Sequence, residues 1–143
     1  MAIDTILYTA TAVANGGREG RARSEDGALD VQLSTPRDLG GAGGPGTNPE
    51  QLFAVGYAAC FHSALRLVAR ERKADVTDSA VGARVTLGAA DDGAFGLAVE
   101  LEIVLPNVDH DTATELAEAA HRVCPYSNAT RGNIDVTLTV TDE

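Results

Sequence analysis

A stretch without a single charge, Leu52 to Phe61, constrains this chain more than any other segment. It lies within Asn48–Lys73, NPEQLFAVGYAACFHSALRLVARERK, which reads as one long helix. Asn48 suits the N-cap, Pro49 the first helical position, and Gln51 the place where a capping box sets its Glu or Gln. Arg66, Arg70, Arg72 and Lys73 supply cations at the C-terminal end, where the helix dipole favours them. A surface helix shows a polar face throughout. Here Leu, Phe, Val, Tyr, Ala and Cys occupy every side until His62, Ser63 and Arg66, so the first half is expected to be buried all round. One small sheet cannot cover such a helix, and a second subunit is therefore expected.

The flanking segments read as strands and one further helix. Ile3–Val13 is rich in Thr, Ile, Tyr and Val; Asn15-Gly16-Gly17 is a turn, and Arg18–Arg23 returns as a partner strand. Asp26-Gly27 turns again before Leu29–Leu33, which predicts a three-stranded antiparallel meander. Ser34–Thr47, with Pro36 and Pro45 among its glycines, is an irregular loop of the length that often carries function. Val76–Ala89 and Phe95–Leu105 form a hairpin around Asp91-Asp92-Gly93. In its second strand Leu97, Val99, Leu101, Ile103 and Leu105 share a face opposite Glu100 and Glu102. Asp109 or Asp111 caps a second helix with the apolar stripe Ala113, Leu116, Ala117, Ala120 and Val123. Ile134–Val140 is a last strand. The order βββ-α-ββ-α-β predicts an α+β fold, with antiparallel sheets wrapped around a buried central helix.

The 143 residues suit one domain over 1–143, with no linker to divide it. A formal charge of −10 argues against nucleic acid or an anionic membrane surface as partner. The opening MAIDTILYTATAV has no basic region ahead of an apolar core, and Leu52–Phe61 falls short of the roughly 20 residues that span a bilayer. A cytoplasmic location with no membrane association is the expectation. In that reducing compartment, the two cysteines are expected to be reactive or inert rather than a permanent staple.

Cys60 lies within the apolar helix, and Cys124 follows the second helix beside Pro125. Each alone is ordinary buried packing. Together they invite a disulfide, if the fold brings their Cα atoms within roughly 4.4–6.8 Å. Zinc is a weaker option: His62 and His121 give C-x-H and H-x-x-C, but Cys60 and His62 point about 200° apart on a helix. No metal is expected. The loop Gly40–Gly46 lacks the Lys and Ser/Thr of a phosphate-binding loop, and there is no G-x-S-x-G elbow. Arg18, Arg21 and Arg23 are by default solvated, and Glu50 by default a helix-dipole partner.

Four motifs add a resemblance: N-P-E-Q-L-F-A-x-G-Y-x-A-C-F at 48–61, V-C-P-Y-S-N-A-T-R-G-N-I at 123–134, G-G-R-E-G at 16–20, and the run beginning L-D-V-x-L-S-T-P at Leu29. In order and spacing they resemble the organic hydroperoxide resistance proteins of the Ohr/OsmC superfamily, along essentially the whole chain. His62 stands where an aliphatic or small residue is expected. The resemblance implies an OsmC-like fold in an intertwined homodimer. It also implies a peroxidase, with Cys60 as the peroxidatic cysteine, Cys124 as the resolving one, and Arg18 and Glu50 activating the thiolate. No bound cofactor is implied; the electron donor is a dithiol of the lipoyl type, a dihydrolipoyl group on a partner protein. Leu52, Phe53, Tyr57, Phe61 and Tyr126 are the candidate pocket for alkyl or fatty-acid hydroperoxides. Two other classes stay open: a binding protein that holds an apolar ligand with its cysteines as redox sensors, and a thiol-disulfide oxidoreductase, which the absence of C-x-x-C weakens.

Glu50 and Cys60 are ten positions apart on the predicted helix, roughly 15 Å at 1.5 Å per residue. Arg18 of one chain cannot serve both, which predicts that Arg18 and Glu50 approach Cys60 of the other chain.

Overall fold

In a computed structural model the chain forms two compact units, Met1–Leu52 and the remainder from Phe53 on; the structure describes residues 1–141. The boundary falls inside the long helix, which is common to both.

The first unit is the expected meander, with shorter strands. β1 (Ala12–Asn15), β2 (Arg21–Ser24) and β3 (Asp30–Gln32) pair antiparallel in the order β1-β2-β3. The strand expected from Ile3 onward is confined to Ala12–Asn15, and Ile3, Ile6, Leu7 and Tyr8 are exposed. Those residues suit a strand, but a strand needs a neighbour to bond its backbone, and sequence cannot supply one. Arg18 also lies outside a strand, in a 3₁₀ turn over Gly17–Glu19. Gly20 closes this turn so tightly that a Cβ there would sit 1.7 Å from the Asn15 carbonyl oxygen.

The loop 34–47 is tied across its base. Ser34 N–H donates to the Thr47 carbonyl, Thr47 N–H to the Gln32 carbonyl, and Gly46 N–H to Ser34 Oγ. Then α1 (Pro49–Glu71) begins, with Asn48 Oδ1 accepting from Gln51 N–H at 2.8 Å as an N-cap should. The Gln51 side chain does not return the favour to the cap: its oxygen accepts from the Thr47 hydroxyl at 2.7 Å.

The second unit holds the core. β4 (Ala80–Ala89), β5 (Phe95–Val104) and β6 (Val136–Thr141) form a sheet with β5 in the middle. β4 and β5 pair antiparallel from Ala80↔Val104 to Ala89↔Phe95. β6 pairs with β5 in parallel, which corrects the expectation of purely antiparallel sheets. The cause is the connection: α2 (His110–Val123) and α3 (Pro125–Thr130) carry the chain back across the sheet before β6, as a parallel pair requires. Val99, Leu101, Ile103 and Leu105 are buried on the face read from the alternation, against Tyr57, Phe61, Leu65 and Val68 of α1 and Ala113, Leu116, Ala117 and Ala120 of α2. Asp109 caps α2 by accepting from Thr112 N–H. Ala119 joins the buried stripe, whereas Val123 at the helix end stays exposed.

Helix α1 departs from expectation in burial. Tyr57 and Phe61 are fully buried, but Val55 is 70% exposed and Ala59 is exposed too. An all-apolar wheel states what a helix face tolerates; it does not state that the same chain covers it. By length and composition α1 also meets the requirement for crossing a bilayer, yet its buried side is packed against β5 and α2.

Candidate active site

The turn at Gly17–Glu19 presents Arg18 to the first turn of α1. Its guanidinium donates to Glu50 in fork-to-fork geometry, Nη1 to Oε1 at 2.7 Å and Nη2 to Oε2 at 3.1 Å. The Glu50 carboxylate is the less exposed partner, and its hydrogen bond and charge raise the Arg18 guanidinium further above its ordinary range. Arg18 is therefore a permanent cation with a fixed orientation. Thr35 of the glycine-rich loop donates to the Arg18 carbonyl at 3.4 Å, so that loop buttresses the turn.

In the second unit α1 and the α2–α3 junction bring the two cysteines together. The Cys124 thiol donates to Cys60 Sγ at 3.5 Å, and both are free thiols. A disulfide needs about 2.05 Å between sulfurs, so about 1.5 Å of closure separates the reduced pair from a bond. The two are unequal: Cys124 is fully buried, while Cys60 is half-buried. An oxidant arriving from solvent therefore meets Cys60 first. Burial pushes the Cys60 thiol up from its ordinary range, the Tyr126 backbone N–H opposes that, and the neighbouring Cys124 adds to the rise.

Aromatic side chains gather beside the thiols. Phe53, Tyr57 and Tyr126 meet at ring-centroid distances of 5.7–6.0 Å. Phe53 and Tyr126 line an open, mainly apolar cleft of about 720 Å³, together with Phe95, Leu97, Ala129 and Ile134. Of the other residues expected in a pocket, Tyr57 and Phe61 lie in the core and Leu52 belongs to the first unit; none lines this cleft. Phe95 and Ile134 were not expected there. Phe95 begins a hairpin strand far along the chain, and its exposure is the only sign that it is free to line a surface.

Composition gave no hint of a buried hydroxyl cluster beneath the cysteines. Tyr57 Oη lies 2.8 Å from Ser127 Oγ and 3.1 Å from Thr130 Oγ1. His121 Nδ1 lies 2.7 Å from Ser127 Oγ, and Thr130 Oγ1 donates to the Ser127 carbonyl. The spacing that reveals it is Ser127 and Thr130, three apart on one side of α3. Burial, helped by the nearby Arg131 charge, lowers the His121 imidazolium, which keeps the ring neutral at neutral pH. Arg131 donates to the His121 carbonyl and to Asn128 Oδ1, fastening the end of α3 to α2. The other histidine singled out, His62, pairs with Ser79 Oγ at 2.9 Å. Among the described residues no three His, Cys, Asp or Glu side chains are grouped to hold a metal ion.

Comparison with known proteins points in one direction. The family model described as OsmC-like protein matches residues 40–139. The organic hydroperoxide resistance protein of Xanthomonas axonopodis pv. citri is 57% identical over 138 residues, covering 96% of each chain. Among solved structures, an organic hydroperoxide resistance protein from Elizabethkingia anophelis superposes with a TM-score of 0.93 at 48% identity, covering 98% of this chain and 100% of that one. The organic hydroperoxide resistance protein OhrB of Bacillus subtilis gives 0.88 at 47% identity, covering 95% and 100%.

Proposed function

Because this chain belongs to the OsmC-like protein family, in its organic hydroperoxide resistance branch, we propose that it is a cysteine-based peroxidase that reduces organic hydroperoxides to alcohols. The observation that carries this reading is the pair of free thiols 3.5 Å apart, with Cys60 the more accessible of the two. The Cys60 thiolate attacks the terminal peroxide oxygen; an S–O bond forms as the O–O bond breaks, and the alkoxide takes a proton to leave as alcohol. The Cys124 thiol then attacks the Cys60 sulfenic acid, forming the S–S bond and releasing water. One hydroperoxide and two thiols become one alcohol, one water and a disulfide. A lipoyl-type dithiol on a partner protein restores the thiols by exchange, becoming a disulfide itself.

A half-buried thiol with its ionisation pushed upward needs a cation to favour the thiolate. Arg18, held by Glu50, suits that task and can also donate to a peroxide oxygen. We place this pair against Cys60 of a second chain in a homodimer. Two features support the arrangement: Glu50 and Cys60 lie ten positions apart on an unbroken helix, and α1 leaves Val55 and Ala59 uncovered. The apolar cleft beside Tyr126 suits alkyl or fatty-acid tails, so organic hydroperoxides should react with a higher kcat/KM than hydrogen peroxide. At about 0.8 kcal/mol per buried methylene, two suffice for roughly a tenfold preference.

The same cleft favours a second reading, a binding protein that retains an apolar ligand without turnover. Mixing the reduced protein with cumene hydroperoxide separates the two. The peroxidase loses both thiols of each chain and releases one cumyl alcohol per chain. Intact thiols with bound ligand would sink that reading and support the binder.

A further inference from the structure

Helix α1 meets the chain from Cys124, the N-cap of α3, into α3 itself at two rungs. Cys60 faces Cys124 at 3.5 Å, and Tyr57 faces Ser127 at 2.8 Å. Tyr57 precedes Cys60 by three residues and Ser127 follows Cys124 by three, so the rungs lie about one turn apart in an antiparallel sense. The hydrogen-bonded rung fixes the register of the sulfur rung.

The proton count gives this contact a direction. Four contacts link His121, Ser127, Tyr57 and Thr130. The three hydroxyls supply one proton each, so a fourth must come from His121 Nδ1. Thr130 spends its proton on the Ser127 carbonyl and therefore accepts from Tyr57. Tyr57 then accepts from Ser127, and Ser127 accepts from His121 Nδ1–H. With each proton used once, this is the one order that satisfies all four contacts. Tyr57, Ser127 and Thr130 are all buried, where an unpaired hydroxyl is costly.

We propose that this directed chain, from His121 through Ser127 and Tyr57 to Thr130, positions Cys124 for attack on oxidised Cys60. Ser127 and His121 are thus positioning residues of the disulfide-forming step. The inference rests on the two-cysteine cycle above. In that step Cys124 sulfur bonds to Cys60 sulfur, the S–O bond breaks, and the hydroxyl leaves as water with the Cys124 proton. A one-residue slip of α3 along α1 would part the sulfurs, and the Tyr57–Ser127 rung opposes that slip.

The test follows closure of the disulfide in the full-length protein, by mass spectrometry, after one equivalent of cumene hydroperoxide and separately after diamide. Diamide oxidises paired thiols without any peroxide chemistry. Ser127→Ala is expected to close about tenfold more slowly with both oxidants, the effect of one lost hydrogen bond. With hydroperoxide it should accumulate dimedone-reactive sulfenic acid at Cys60. His121→Asn, whose amide N–H reaches the Nδ1 position, should close at the wild-type rate, whereas His121→Gln should be as slow as Ser127→Ala. Ring ¹⁵N shifts of the wild-type protein should report His121 as the Nδ1–H tautomer, a readout independent of any variant's folding. Wild-type closure in Ser127→Ala, an Asn variant as slow as the Gln variant, or an Nε2–H tautomer would each overturn the inference. If hydroperoxide leaves wild-type thiols intact while diamide closes the pair, the peroxidase reading fails, and the diamide rates alone decide the positioning role.

Discussion

Replacing Val55 by Asp tests whether a second chain covers α1. Val55 is 70% exposed in the single chain, on a helix whose neighbouring positions Ala54, Gly56 and Ala58 carry no polar group. Fully burying a valine is worth about 1.5–3 kcal/mol, so about 1–2 kcal/mol remains to be gained at this position. A twofold interface counts the contact twice, giving about 2–4 kcal/mol per dimer. Losing it should weaken the dimer about 30- to 1000-fold, and the buried carboxylate adds to the loss. Sedimentation velocity over a dilution series reads the dissociation constant, and hydroperoxide consumption on the same samples reads activity. Both should fall together in Val55→Asp as the protein is diluted. A variant that sediments as the wild type does at every dilution would refute the covered face. A wild-type monomer with full activity would refute the two-chain site as well.

Three further outcomes follow from the site. Gly56→Ala gains about 1 kcal/mol of helix propensity. Its Cβ would lie 2.9 Å from Tyr126 Oη and 3.2 Å from Cε2, so the ring must move. Thermal stability should change little while KM for cumene hydroperoxide rises; an unchanged KM would remove Tyr126 from the substrate's path. Arg18→Ala removes the cation proposed to favour the Cys60 thiolate, whose pKa burial already raises. Its pH–rate profile should move to higher pH, and a thiol that ionises one pH unit later holds about tenfold less thiolate at neutral pH. An unmoved profile would exclude Arg18 from activation. Refolding Cys60→Ser together with Arg18→Ala should recover up to one full-rate site per mixed dimer from an inactive Cys60→Ser parent and a slowed Arg18→Ala parent. No recovery in demonstrated heterodimers would place the site within one chain.

Local chemistry was legible in the sequence where the residue itself supplies the cause. Asn48 and Asp109 cap their helices because a short side-chain oxygen reaches the free N–H groups at a helix start. Val99, Leu101 and Ile103 fall on one face because a strand alternates with period two. What depends on a partner was not legible. Val136–Val140 alternates equally well beside a parallel or an antiparallel neighbour. Ile3–Tyr8 has strand character but no strand to bond it within the described chain, and the apolar wheel of α1 did not disclose that Val55 lies open. Helix α3 escaped notice because its six residues are too few for an apolar period and its buried positions, Ser127 and Thr130, are hydroxyls. Arg18 and Glu50 were singled out through motif resemblance; read alone, each had an ordinary explanation. Their bidentate contact is a long-range feature, 32 positions apart, that no local pattern encodes.

The central claim, a division of labour between the two thiols, is tested most directly by single-turnover mass spectrometry of Cys60→Ser and Cys124→Ser with one equivalent of cumene hydroperoxide. Cys60→Ser should leave the oxidant unconsumed. Cys124→Ser should consume one equivalent, release cumyl alcohol, and carry the oxidation on Cys60 as sulfenic acid or a higher oxide. The opposite pattern, an inert Cys124→Ser beside an active Cys60→Ser, would contradict it.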